Sequence, residues 1–219
     1  MYLDLYDEKH RSLSVKSDAS SKEVYTQQGE REFLLCGKCE GHLAEFERYA
    51  APIVKSLLNL EAEHAAGYYS VKNIDYQHFK LFQMSVLWRA SVASIEMFRK
   101  VALGPREEHL RSMILSDNPG TPEEYGCLML IMEKTKYLHR IIWSPVTENI
   151  DGHTIYRFET GRLFWLYFLP NHKIPAVAEY FLDKSGNLLV PIAPWSEEDV
   201  IKRLAGKIAE AKKLRKGGT

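Results

Sequence analysis

The sequence has no surplus of charge of either sign. Its 29 Lys and Arg residues balance its 29 Asp and Glu residues, so the formal net charge of the 219 residues is zero. A chain without a basic surplus lacks the uniformly positive surface that would by itself indicate a nucleic-acid coat or a binder of anionic membranes. Any such partner must therefore be bound by a local patch.

Long apolar runs are also missing, and cysteine is scarce. The longest apolar run, from Leu163 to Leu169, is too short to span a bilayer, and the N-terminus MYLDLYDEKHR has no apolar segment of signal-peptide length. Of the three cysteines, Cys36 and Cys39 form a close CxxC pair, which is typical of metal or redox chemistry rather than of a secreted disulfide framework. These features predict a cytoplasmic protein without a membrane partner. Cys127 lies in the apolar run CLMLIM and is expected to be buried.

The first half of the chain has mainly helical patterns. Residues 1–31 are polar without a clear period, which predicts an irregular arm, and EFLLC is a short strand candidate. An apolar helical face follows the CxxC pair, and Pro52 is expected to kink or restart that helix. A second helix, apolar on two sides, is expected from its N-cap Asp75 to Leu103. A third is expected to begin at Pro105 and to end near Asp117.

The second half has the patterns of strands. Short β-branched or aromatic runs alternate with turn signals, which predicts an antiparallel meander of five or six strands: CLMLIM, YLHRIIW, HTIYRFE, RLFWLYFL, AVAEYFL and LLVPI. A capping box at Ser196 opens a last, basic helix that extends to Lys216. The predicted fold is therefore α+β, with an N-terminal knuckle, a layer of two or three long helices, the meander and a C-terminal helix. We expect an arm, knuckle and following helix at residues 1–65, and an α+β body with the basic helix at residues 66–219.

The CxxC turn is the segment with the clearest chemistry. Two thiolates three residues apart can both reach a zinc ion at about 2.3 Å, but a tetrahedral shell needs four ligands. His42 follows Cys39 by one helical turn and is the candidate third ligand; Glu40 and His10 are candidates for the fourth. The alternatives are a free dithiol or a turn that has lost its function. The carboxylates of Glu40 and the nearby acidic residues of the same helix could hold Mg²⁺ or Mn²⁺, although a solvated helix face is the commoner role for such residues.

The stretch LLCGKCEGHLAEFERYA, preceded by LYDEKHR and followed by VLWRASVAS, resembles a bacterial family related to the HNH endonucleases. In that family a first CxxC and a His-containing strand of the SHIIP type precede a second knuckle of the LLCxxCE type. The resemblance implies a structural zinc shared by the two knuckles and a His that acts as general base on a water. It also implies a separate divalent metal, Mg²⁺ or Mn²⁺, and hydrolysis of phosphodiester bonds in nucleic acid. It covers about the first hundred residues.

The chain contains only the second half of this pattern. The first knuckle and the SHIIP-type His are not in the sequence, position 40 is Glu where many HNH enzymes have Asn, and Leu43 replaces a common basic or His residue. Catalytic residues therefore stay unknown, and we expect an incomplete active site. A truncated relative with lost or weakened catalysis is the first explanation, a start site placed too late is the second, and ligands from a second subunit, in a homo-oligomer, are the third. The alternative function is a non-enzymatic binding or interaction module for nucleic acid or a protein partner.

Two segments are candidates for contact with DNA or RNA. Arg89 lies in the otherwise apolar helical stretch VLWRASVAS, where an Arg either pairs with a carboxylate, the commoner outcome, or faces a cleft. The C-terminal helix gathers basic residues that could bind phosphates, and a solubilising terminal helix is an equally good interpretation. The candidate nucleic-acid contacts are Arg89, Lys207, Lys212, Lys213 and Arg215.

Overall fold

The computed structural model describes residues 12–15, 24–26, 32–60, 67–132, 141–150, 152–171 and 176–193. The helices are α1 (Gly37–Leu58), α2 (Tyr76–Val92) and α3 (Arg106–Leu115), with 3-10 turns at Glu96–Phe98 and Ala178–Tyr180. The strands are β1 (Ser12–Val15), β2 (Val24–Thr26), β3 (Tyr68–Val71), β4 (Cys127–Met132), β5 (Ile141–Ile150), β6 (His153–Thr160), β7 (Leu163–Phe168) and β8 (Leu188–Ala193). The α+β class predicted from the sequence is confirmed.

The strands form one mixed sheet in the order β2-β1-β5-β6-β7-β4-β8-β3. Strands β5, β6 and β7 pair antiparallel in chain order, which is only part of the meander of five or six strands that was predicted. The rest of the predicted meander is wrong, because β4 pairs with β7 rather than β5, and the pairs β1–β5 and β4–β8 are parallel. Strand β4 is almost entirely buried, which requires a place inside the sheet with both faces covered.

Strands β4 and β7 separate two apolar layers. Alternate residues of β7, such as Trp165 and Tyr167, belong to the large cluster that packs against the helices. The residues between them, such as Phe164 and Phe168, belong to a second cluster that includes Phe181. Since successive side chains of a strand point to opposite faces, a strand between two apolar layers has the unbroken hydrophobic sequence seen here.

Helix α1 forms because its apolar residues recur at helical spacing. The buried residues are Leu43, Phe46, Ala50, Val54 and Leu57, and they belong to the same core cluster as residues of α2 and the sheet. Pro52 is exposed and lies inside the helix, which continues to Leu58, so the predicted restart is wrong. The predicted domain boundary at 65/66 falls in 61–66, outside the described residues, and stays a prediction.

Helix α2 is the central helix of the layer, as its two apolar sides predicted. Its N-cap is Asp75, whose side chain accepts a hydrogen bond from the backbone N–H of His78. The helix ends at Val92 rather than at Leu103, where the sequence pattern placed the end. A reason is the carboxylate of Glu32, which accepts the backbone N–H and the hydroxyl of Ser94 and holds the chain after α2.

Several segments differ from their predictions. The polar arm is not irregular throughout, because it provides β1 and β2, and β3 was not predicted. EFLLC is not a strand; Glu32 within it binds Ser94 instead. AVAEYFL contains a 3-10 turn at Ala178–Tyr180 instead of the predicted strand. Phe181, which follows the turn, packs over Gly126, where an added Cβ would lie 2.2 Å from the Phe181 ring. The predicted C-terminal helix at residues 196–216 lies outside the described residues.

The turns between the strands follow the predicted signals. Gly152, Gly161 and Gly186 have positive φ angles of 82°, 59° and 81°. At Gly186 a Cβ would also lie 2.3 Å from the carbonyl oxygen of Ile74, so this position requires glycine twice over. In the described part of the chain, no helix has the length and apolar character needed to cross a bilayer.

Candidate functional site

The two thiols of the CxxC pair lie at the start of α1. Cys36 is the N-cap residue, with an extended backbone at φ −75° and ψ 157°, and the helix begins at Gly37, so Cys39 lies in its first turn. Both are free thiols; Cys36 is exposed and Cys39 is half-buried. Gly37 is the first residue of the helix. The CxxC segment is therefore the start of a helix with Cys36 as its N-cap residue, and no strand precedes it directly among the described residues 32–35.

The two thiols differ in acidity because one donates to the other. The backbone N–H of Cys39, and next the Cys39 thiol, donate hydrogen bonds to the Cys36 sulfur, and these hold the pKa of Cys36 below its ordinary value. The same thiol–thiol hydrogen bond, followed by burial, raises the pKa of Cys39. The pair thus contains one sulfur suited to be a thiolate and one suited to remain a donor. A thiolate at a helix N-terminus is suited to metal binding and to thiol–disulfide exchange alike.

His42 points to α3. Its Nε2 atom lies 2.8 Å from Oδ1 of Asp117, and its ring centroid lies 5.1 Å from that of Phe46, with the planes 60° apart. A quarter of the His42 side chain is exposed and about half of the Asp117 side chain, so solvent screens the contact only in part. The hydrogen bond links the start of α1 to the residue that follows α3.

A small cleft lies where the three helices meet beside Cys39 and His42. Its volume is about 30 Å³, which is room for about two waters or one ion. The cleft is lined by Cys39, His42, Leu43, Trp88, Arg111, Ile114 and Leu115.

The predicted metal ligands are brought together only in part. Cys36 and Cys39 are within hydrogen-bonding reach of each other. Glu40 is exposed, and its backbone N–H continues the helix by donating to the carbonyl of Cys36 at 2.9 Å. Among the described residues there is no group of three or more His, Cys, Asp and Glu side chains arranged to hold a metal ion. His10 lies outside the described residues. The thiols of Cys36 and Cys39 can thus supply two of the four ligands of a zinc ion. His42 lies one helical turn after Cys39.

Arg89 pairs with a carboxylate, which is the commoner outcome for an Arg in an apolar helical stretch. Its Nη1 atom lies 2.6 Å from Oε1 of Glu47, and its Nε–H donates to the carbonyl of Ser85 at 3.3 Å. The ion pair joins α2 to α1 and also engages one of the acidic residues considered as a Mg²⁺ ligand. The other candidate phosphate contacts, Lys207, Lys212, Lys213 and Arg215, lie outside the described residues and stay predictions.

Sequence reasoning missed Asp117. The run Asp117-Asn118-Pro119-Gly120 correctly predicted the end of α3, but nothing in it indicates a contact with His42, 75 residues earlier in the chain. Arg111, across the cleft from Cys39, was missed for the same reason. Comparisons of the chain with protein-family models, with curated proteins and with solved structures found no match.

Proposed function

We propose that the chain is an HNH-endonuclease-like protein in which Cys36 and Cys39 supply two ligands of a structural zinc ion. The observation that supports this proposal is the pair of free thiols on the first turn of α1, one of them with a lowered pKa. Thiolate and imidazole are the donors that zinc prefers in structural sites. Two further ligands complete the tetrahedron, and we propose that they come from His42, from residues such as His10, or from a second copy of the chain.

The chemistry implied by the resemblance is hydrolysis of phosphodiester bonds in DNA or RNA. In that family Mg²⁺ or Mn²⁺ neutralises the charge that develops on the phosphate. For this chain we propose that the active site is incomplete, because the first knuckle and the SHIIP-type His of the family pattern are not found in the sequence. We also propose a cytoplasmic location, where the thiols stay reduced.

A second candidate is a non-enzymatic binding module of the same origin, for nucleic acid or a protein partner. The observation that favours it is that Arg89, the candidate phosphate contact of the helical layer, pairs with the carboxylate of Glu47 within the chain. Phosphate binding then depends on the basic residues of 207–215. Weaker binding at higher salt would be expected for such contacts.

Zinc content is the first test. Protein purified without chelator should contain between about half an equivalent of zinc, if two chains share one ion, and about one equivalent. The Cys36→Ser/Cys39→Ser variant should lose it, and Cys127→Ser, which changes a buried thiol, is the matched control and should keep it. Zinc below about a tenth of an equivalent, unchanged in the double variant, contradicts the proposal.

Cleavage is the second test, and it separates a working nuclease from a chain without a complete active site. An incomplete site predicts no Mg²⁺- or Mn²⁺-dependent cleavage of plasmid, single-stranded DNA or RNA above the level of the double cysteine variant. Reproducible cleavage that is lost in Glu40→Gln and in His42→Ala would show a working nuclease and reject the binding module.

A further inference from the structure

The two thiols at the start of α1 are in contact with each other. Cys36 is the N-cap residue, and Cys39 lies three residues further on, in the first turn of the helix. The Cys39 thiol donates a hydrogen bond to the Cys36 sulfur, so the two sulfur atoms are neighbours. By helix geometry, the Cα atoms of residues three apart lie about 5 Å from each other. A disulfide joins Cα atoms that are usually about 4.4 to 6.8 Å apart, so this pair can be oxidised with little movement of the backbone.

The two sulfurs differ in their access to another molecule. Cys36 is exposed, whereas Cys39 is half-buried and lines the small cleft where the helices meet. The surface beside Cys36 is open, because a Cβ added at Gly37 or at Gly41 would meet no atom of the described residues within 4 Å. Access is one of the factors that decide which thiol attacks a disulfide. A disulfide of another molecule therefore reaches Cys36 more readily than Cys39.

We propose that Cys36 and Cys39 form a dithiol–disulfide couple that exchanges with a disulfide of another molecule. The Cys36 thiolate attacks one sulfur of that disulfide, which forms a mixed disulfide and releases the other sulfur as a thiolate. The Cys39 thiolate then attacks the Cys36 sulfur, which closes the internal disulfide and releases the second sulfur. The two released thiolates take up the two protons that the pair has given up. Two electrons thus pass from the pair to the other molecule, whose disulfide becomes two thiols.

The contact between the sulfurs makes the second step intramolecular. Well-oriented intramolecular reactions have effective concentrations far above those of thiols in solution, so the mixed disulfide should not accumulate. The inference goes beyond the proposed function, because the exchange needs no metal. The two are nevertheless linked, since a disulfide lacks the thiolates that zinc binds. Oxidation of the pair would exclude zinc, and bound zinc would block the exchange.

The competing explanation is that the thiols only begin the helix or bind zinc and do not exchange. Single variants separate these roles. Cys36→Ser removes the exposed sulfur and preserves the N-cap of α1, since Ser caps helices well. Cys39→Ser removes the sulfur that would close the internal disulfide. Cys127→Ser, which changes the buried thiol of β4, is the matched control.

The test follows the full chain, as purified and after zinc removal by a chelator, in mixtures of reduced and oxidised glutathione. Mass spectrometry of acid-quenched, alkylated samples separates the dithiol, the glutathione adduct and the internal disulfide. Zinc-free wild type and Cys127→Ser should form the disulfide between Cys36 and Cys39. Cys39→Ser should stop as the adduct on Cys36, and Cys36→Ser should react more slowly by about tenfold or more.

A parallel assay of insulin reduction by dithiothreitol distinguishes protein disulfides from small ones. Acceleration by wild type that is lost in Cys36→Ser assigns the exchange to protein disulfides. Exchange with glutathione without this acceleration assigns it to small disulfides.

The absence of an internal disulfide in zinc-free wild type at every glutathione ratio overturns the inference. So do equal rates for Cys36→Ser and Cys39→Ser, and so does a disulfide formed only between two chains, which is seen as a doubled mass. Zinc binding without disulfide formation after zinc removal would reject the couple and leave the proposed zinc site standing. Disulfide formation in a protein that binds no zinc would do the reverse.

Discussion

Two regions of the molecule contain cysteine in opposite surroundings. At the start of α1, Cys36 is exposed and its pKa is lowered. In the interior between α2 and the sheet, burial raises the pKa of Cys127 to about 12 and the pKa of Tyr167 beside it well above its ordinary value. Burial also lowers the pKa of Lys80 to about 8, against the opposing influence of Cys127. The interior therefore keeps its thiol neutral, and chemistry is expected only where the backbone N–H groups of a helix start stabilise a thiolate.

The buried ammonium group of Lys80 forms hydrogen bonds within the protein. Lys80 is 1% exposed, and its Nζ atom donates to the carbonyls of Pro122 at 3.1 Å and Tyr125 at 2.9 Å. These carbonyls belong to the segment between α3 and β4, so Lys80 fixes that segment against α2. A buried ammonium held by backbone carbonyls has a structural role, whereas the thiol of Cys36 is exposed and that of Cys39 is half-buried.

The largest expected effect is the difference in thiol reactivity. At pH 8, Cys36 should react with iodoacetamide faster than Cys127 by about a thousandfold or more, because their pKa values lie on opposite sides of the ordinary value. Mass spectrometry of peptides from protein labelled under native conditions measures both rates, and unfolded protein serves as the control in which the rates converge. Equal rates in the native protein would remove the contrast between the two regions.

The next effect concerns the pH dependence of stability at Lys80. Because the pKa of Lys80 is lowered from 10.5 to about 8 on folding, the unfolded chain binds more protons between these values and stability rises with pH there. The free energy of unfolding of wild type minus that of Lys80→Met should rise by on the order of 3 kcal/mol from pH 8 to pH 10.5. Urea unfolding at both pH values measures it. The raised pKa of Cys127 lowers stability above pH 9 in both proteins and largely cancels in the difference.

If the difference in the free energy of unfolding between wild type and Lys80→Met does not change from pH 8 to pH 10.5, Lys80 titrates as it would in water. Water would then reach the interior more readily than the burial of Lys80 indicates. The contrast with the start of α1 would depend on the cysteines alone.

The smallest effect is expected for the ion pair between Arg89 and Glu47, which joins α1 to α2 near the protein surface. Its side chains are 30% and 42% exposed, so solvent screens the 2.6 Å contact. Glu47→Gln should lower the free energy of unfolding by about 0.5 kcal/mol, and less at high salt. Arg89→Met should lower stability by a similar amount and leave nucleic-acid affinity unchanged. A loss of affinity in Arg89→Met, with affinity retained in Glu47→Gln, would instead assign Arg89 to phosphate contact.

The sequence predicts local features of this fold well. The apolar spacing of α1, the N-cap Asp75 and the β5–β6–β7 meander each depend on residues close together in the chain. What could not be predicted depends on distant partners. Just after the end of α2, Glu32 binds Ser94, and the two residues lie 62 positions apart in the chain. Strand β4 has its position because both its faces need apolar neighbours, and the sequence does not say which strand provides the hydrogen bonds.

In the candidate site, too, local features could be predicted and contacts between distant residues could not. The CxxC pair and its helix could be predicted because both cysteines lie on one turn. The partner of His42 could not, because Asp117 is read in sequence only as the residue after a helix. Lys80 was not singled out either, since a lysine on a helix is expected at the surface.

The measurement that tests the central claim most directly is the absorption spectrum of the zinc-free protein titrated with Co²⁺, which takes the same tetrahedral sites and reports thiolate ligands by charge-transfer bands. We expect these bands in wild type and in Cys127→Ser, saturating between about half and one equivalent, and their loss in Cys36→Ser/Cys39→Ser. A spectrum without thiolate bands in the wild-type protein, or bands that persist in the double variant, would contradict the assignment of Cys36 and Cys39 as metal ligands.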